Sequence, residues 1–184
     1  MSEASKTKLH WLCTCAMLVA LEIVLNRFCS INTAGLKIGF SFVPPMLAAM
    51  LYGPATSALV YALSDFLGAL LFPIGPYHPG FTICAAGMGL LLGLMLYRNK
   101  ISFWHIIIPV AVNCLVLGLV VNTLWVSQLY GSKTYWGWFL YRLPEYAVLI
   151  PVQILLAPVL KRLAEILRKT GLAGNAVIKR GVKS

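Results

Sequence analysis

Six long apolar runs, at roughly 9–28, 38–52, 54–72, 79–98, 103–129 and 138–163, dominate this chain and leave its charges mostly at their ends. About 20 apolar residues suffice for a helix to cross a bilayer, so most of the runs are membrane-spanning candidates. In a bilayer, backbone groups must be satisfied within the helix itself, which restricts such a chain to a helical bundle. Composition agrees: 60% of residues are hydrophobic and 11% charged, where soluble domains carry about a quarter charged residues. The expected fold is an all-α integral membrane protein, a bundle of six transmembrane helices with an outward-facing ligand pocket capped by loops. It forms a single domain over 1–184, with residues 1–8 a cytoplasmic N-terminus and 164–184 a basic cytoplasmic tail. The second run is short for a span and contains Pro44-Pro45, so a kink or an irregular start is expected there.

Six spans put both termini on one side of the membrane. Eleven basic residues share that side, among them Lys6, Lys8, Arg98, Lys100, Lys161, Arg162, Arg168 and Lys169. The positive-inside rule makes it the cytoplasmic face. The net charge of +10 is thus explained by topology, and no nucleic-acid partner is implied because the cations are not interleaved with exposed aromatics. The five cysteines lie mainly in apolar runs without metal-ligand spacing, so they read as small buried hydrophobes and no metal or cofactor is expected. The chain has no phosphate-binding glycine loop with lysine, no nucleophile elbow and no zinc-binding histidine motif. Catalysis therefore has no visible constellation, and the protein is not expected to be an enzyme.

Four cations, Arg27, Lys37, Lys133 and Arg142, fall on the opposite side with no topological reason to be there. Arg27, Lys37 and Arg142 are candidates for an anion at the outer mouth; snorkelling to headgroups is the plain alternative. Arg142 is the foremost of the three, because Glu145 three residues on shares its helical face, where a shared ligand site or a purely structural ion pair can form. Glu22 and Asp65 lie within spans, where an ionised group needs pairing, water or a function. Between runs three and four lies the stretch Phe72-Pro-Ile-Gly-Pro-Tyr-His-Pro-Gly-Phe81, with three prolines and two glycines. Such backbone can neither continue a helix nor pair as a central strand, so it reads as a pocket wall. Tyr77, His78 and Phe81 within it, together with Asn32, Asn122 and Trp125, suit a flat hydrogen-bonding ligand. For Trp125 an interfacial aromatic belt is the competing reading, and for His78 a structural hydrogen bond. Two small-residue strips, Ala16-x-x-x-Ala20 and Ala85-x-x-x-Gly89-x-x-x-Gly93, are flat enough for close helix contact, one within the bundle and the other against a separate membrane subunit.

These residues together resemble a known family, the substrate-binding S components of energy-coupling factor (ECF) vitamin transporters, and within it the folate-specific branch. The resemblance rests on Ala16-x-x-x-Ala20, Ser30-Ile-Asn-Thr33, the block from Ser64-Asp65-Phe66 through the Pro-Gly loop to Thr82, and Asn122-Thr-Leu-Trp125. It implies a protein that captures folate outside and docks through Ala16 and Ala20 onto a membrane coupling subunit driven by two cytoplasmic ATPase subunits. The expected gates are residues 29 to 37, the Pro-Gly loop and 130 to 137. Expected ligand contacts are Arg27, Lys37 or Arg142 for the glutamate tail, Tyr77, Phe81 and Trp125 for the pterin faces, and Asn32, Asp65 or Asn122 for its edge, with His78 a loop brace or contact. Another vitamin of the same family (pantothenate, pyridoxine or a flavin) and a small membrane enzyme using His78 and Asp65 are the alternatives.

Overall fold

A computed structural model describes residues 3–33, 36–73, 75–97 and 103–169. The chain runs through α1 (Glu3–Arg27), a hairpin of β1 (Ile31–Thr33) and β2 (Leu36–Ile38), then α2 (Val43–Tyr52), α3 (Pro54–Leu71) and α4 (Pro79–Leu96). A long run follows, formed by α5 (Phe103–Val112), a π-helical segment (Asn113–Val121) and α6 (Asn122–Tyr130), before α7 (Tyr135–Lys169) ends the described chain. Five stretches are long and apolar enough to cross a membrane: Thr7–Arg27, Pro54–Leu71, Pro79–Leu96, Ile106–Tyr130 and Tyr135–Lys169. The second expected span is α2 with 10 residues, about 15 Å at 1.5 Å per residue, roughly half the hydrocarbon thickness.

That short helix is the centre of the core. Every residue from Pro44 to Leu51 is buried, an all-round burial that a helix facing lipid would not have. Pro44 and Pro45 occupy its first turn, where their missing N–H groups have no helical partner to lose. The expected kink is thus a helix start. At the other end Gly53, at φ +93°, alone joins α2 to α3, a conformation that glycine adopts without steric cost. The α2 C-terminus is capped from a distance: Arg168 of α7 donates to the carbonyls of Met50 and Leu51, placing a cation at the negative end of the helix dipole. α7 therefore stays helical past 164, where a basic tail was expected to begin; residues 170–184 lie outside the described residues.

The small-residue strip of α4 closes the bundle. A Cβ on Gly89 would fall 2.5 Å from the Ser57 carbonyl oxygen, and one on Gly93 would collide with the Pro54 backbone, so α3 and α4 approach to a distance that only glycine permits. Ala16 and Ala20, in contrast, are exposed on α1. The two three-residue strands depart from the all-α expectation. They pair antiparallel with Asn32 opposite Lys37, in the stretch expected to act as a gate at 29 to 37.

Candidate functional site

One cavity of about 300 Å³ opens between α1, α3, α4, the π segment, α6 and α7, a volume at the lower end of small-molecule sites. One wall is the Pro-Gly loop: Pro73, Gly75, Pro76, Tyr77 and Phe81 all line the cavity. This loop is fixed by a short hydrogen-bonded chain. The Thr82 hydroxyl donates to Asp65 Oδ2 at 2.8 Å and lies 2.7 Å from the Tyr77 hydroxyl, which ties the loop to α3 and to the first turn of α4. On the far side the Tyr130 hydroxyl sits against Gly75, where a Cβ would come within 2.8 Å of it.

Of the expected site residues, Arg27, Asp65, Tyr77, Phe81, Asn122 and Arg142 line the cavity. Arg142 is committed inside the protein. Its Nε donates to Glu145 Oε2 at 3.3 Å, Nη1 to Thr123 Oγ1 at 3.2 Å and Nη2 to the Tyr146 hydroxyl at 2.9 Å, so the structure adopts the ion-pair alternative. Arg27 is half-buried, with its guanidinium over Gly68 of α3. The side chains of Asn32 and Lys37 lie outside the described residues.

His78 and Trp125 are not among the residues that line the cavity. His78 caps α4, its Nδ1 accepting from the Gly80 N–H at 3.0 Å, which satisfies one of the donors left open at a helix N-terminus. Its ring stacks on the Trp125 indole at 4.9 Å and 20°, and the indole covers Gly80. The pair clamps the start of α4 to α6, so the brace reading applies to His78. Lys133, the fourth of the cations expected on the outer side, sits 4.0 Å from the Tyr141 ring centroid and 5.1 Å from that of Trp138, a cation–π arrangement.

Several lining residues have no counterpart in the sequence expectations: Asn26, Tyr61, Asn113, Tyr146 and Gln153. Asn113 and Gln153 are uncharged amides inside apolar runs, a signal of the same kind that marked Glu22 and Asp65. Asn26 lies one turn beyond Glu22 and donates to its Oε1 at 2.8 Å. The π segment explains how the fifth run contributes Cys114, Gly118, Asn122 and Val126 to one wall. In an α-helix of 3.6 residues per turn, twelve residues drift by about a third of a turn; the wider π-helical turn keeps them aligned, and such turns concentrate at functional sites. Three carboxylates (Glu22, Asp65, Glu145) and two guanidinium groups (Arg27, Arg142) line the cavity. The interior is therefore not the cationic trap that the expected cations alone suggested, and by charge it suits a neutral group better than a dianion. Among the described residues, no group of three or more histidine, cysteine or acidic side chains is placed to hold a metal ion.

Residues 11–161 match the profile of the family described as ECF transporter, substrate-specific component. A folate transporter FolT from Clostridium novyi is 36% identical over 137 residues, 74% of this chain and 79% of that protein. The Streptococcus mutans folate transporter FolT is 26% identical over 177 residues, 90% of this chain and 95% of that protein. The crystal structure of FolT bound with folic acid superposes with a TM-score of 0.76 at 29% identity, covering 82% of this chain and 90% of that one. By the extent of the profile match and these identities, the chain belongs to the substrate-specific components of ECF transporters, a family of multi-pass membrane transport proteins rather than enzymes.

Proposed function

We propose that this protein is the folate-binding S component of an ECF importer, which captures folate outside the cell and passes it on through a coupling subunit. The fold shared with FolT bound with folic acid carries this reading, and the cavity supports it. A pterin is flat and nearly neutral, matching a small cavity whose carboxylates outnumber its guanidinium groups. The tail's two carboxylates belong at the mouth, where water and cations share the cost of their charge. Arg27 is the cation of the lining with a partly exposed side chain, and Lys37 belongs to the hairpin that follows α1. Tyr77 and Phe81 supply aromatic faces, Asp65 and Asn122 polar edges, and Asn32 a polar group on the hairpin.

ATP-driven uptake needs a partner, because the chain itself carries no nucleotide-binding motif. The exposed Ala16 and Ala20 form a flat strip suited to a helix of a membrane coupling subunit, which two cytoplasmic ATPase subunits would drive. Both termini then lie in the cytoplasm, in keeping with the basic residues at the end of α7.

Titration of the purified chain with folic acid, pantothenate, pyridoxine and riboflavin tests the reading directly. Saturable 1:1 binding of folic acid alone is expected. Binding of another vitamin in its place, or turnover by the isolated protein, would overturn it.

A further inference from the structure

We propose that three buried amides, Asn26, Asn113 and Gln153, form the specificity-determining floor of the cavity and read the hydrogen-bonding edge of a 2-amino-4-oxo pyrimidine ring. This rests on the folate reading and adds which residues tell a pterin from other flat rings. The three side chains belong to α1, the π segment and α7, converge on one cavity, and are only 4%, 4% and 5% exposed. The amide oxygens, Asn26 Oδ1, Asn113 Oδ1 and Gln153 Oε1, have no hydrogen-bond partner among the described residues.

Buried side-chain polar atoms are overwhelmingly paired, so three open acceptors in one cavity call for a donor that comes from outside the chain. Asn122 Oδ1 is a fourth buried amide oxygen of the lining left open among the described residues, and Arg27 Nε a buried donor left open; several other polar groups are committed. Asp65 and Tyr77 are engaged through Thr82, and Arg142 through Glu145, Thr123 and Tyr146. The Asn26 amide nitrogen is given to Glu22 at 2.8 Å, which turns its oxygen into the group left to accept. A 2-amino-4-oxo pyrimidine ring offers adjacent donors, the amino group and the ring N–H, to such acceptors. An analogue without the amino group would leave a desolvated amide oxygen unpaired, which is how sites built on hydrogen bonds reject near-isosteres. Bound water is the rival occupant, since polar cavities retain it. Amides that merely held water would be indifferent to the ligand's edge.

The test is titration of the unmodified protein with folic acid and with its 2-desamino analogue, which carries the same tail. The analogue is expected to bind at least about tenfold more weakly, about 1.4 kcal/mol. In Asn113→Leu and Gln153→Met, folic acid is expected to lose about tenfold and the preference over the analogue to fall below about threefold. Equal affinity of the two ligands for the unmodified protein overturns the proposal, whether or not the variants fold. A preference that survives intact in both folded variants overturns it as well. Failure of folic acid to bind at all removes the folate reading itself, a result distinct from folic acid binding without preference.

Discussion

The Arg142 guanidinium lies 3.3 Å from Glu145 and the two side chains are almost wholly buried together. The one cation expected from the last span is thus neutralised within the protein, where it joins α7 to Thr123 at the start of α6. Removing one member of a buried pair strands the other, at about 3 to 5 kcal/mol. Arg142→Gln is expected to lower the thermal midpoint of the detergent-solubilised protein substantially, and Arg142→Gln with Glu145→Gln to recover most of it. A double variant as unstable as the single one would show that the pair is not what Arg142 contributes.

His78 has two separable duties, the cap on Gly80 and the stack on Trp125. A lost N-cap costs about 0.5 to 2 kcal/mol and an aromatic pair about 0.5 to 1.5. His78→Ala should therefore destabilise by about 1 to 3 kcal/mol, with His78→Asn, which retains a capping oxygen, in between. Thermal melts of the three proteins give the order; His78→Asn as low as His78→Ala would discount the cap.

The two small-residue strips should fail differently. Gly93→Ala drives a Cβ into the Pro54 backbone, which α3 and α4 can relieve only by separating, so folded yield and melting temperature are expected to fall sharply. Ala16→Trp with Ala20→Trp enlarges an exposed surface, and folic acid affinity should stay within about twofold. Folate uptake by cells with the coupling module is expected to drop at least about tenfold. Normal uptake by the tryptophan variant would remove α1 as the docking face.

The chain Tyr77, Thr82, Asp65 holds the Pro-Gly wall of the cavity in place. Each hydrogen bond contributes about 0.5 to 1.5 kcal/mol, so Thr82→Val, which cuts both contacts, should speed ligand release by about five- to a hundredfold. Stopped-flow dissociation of folic acid measures this; an unchanged release rate would mean that the wall does not retain the ligand.

Much of the architecture was legible because bilayer physics imposes a length and a composition on any span. Six apolar runs were expected and five stretches are long enough to span, the second run being the short buried α2. The Pro-Gly stretch was legible as a wall because proline and glycine act locally, whereas spacing alone did not say which small-residue strip packs inside the bundle. The site was legible only where a residue was conspicuous in its surroundings. Charged groups inside spans, such as Asp65 and Arg142, stood out, whereas Asn113, Gln153 and Tyr61 are single polar residues in apolar runs with no pattern around them.

The sequence by itself determined that this is a helical membrane protein and which segment walls its pocket, because charge, proline and hydropathy act locally. Tertiary structure decided what those residues do. Which cation is spent internally depends on Glu145, Thr123 and Tyr146 meeting one guanidinium across two helices, and the π-helical turn decides which side chains of the fifth run reach the cavity. The Arg142–Glu145 spacing of three residues was visible locally, but the contact with Thr123, 19 residues away on another helix, and the reach of the fifth run into the cavity are set by how the helices pack, which no local pattern encodes.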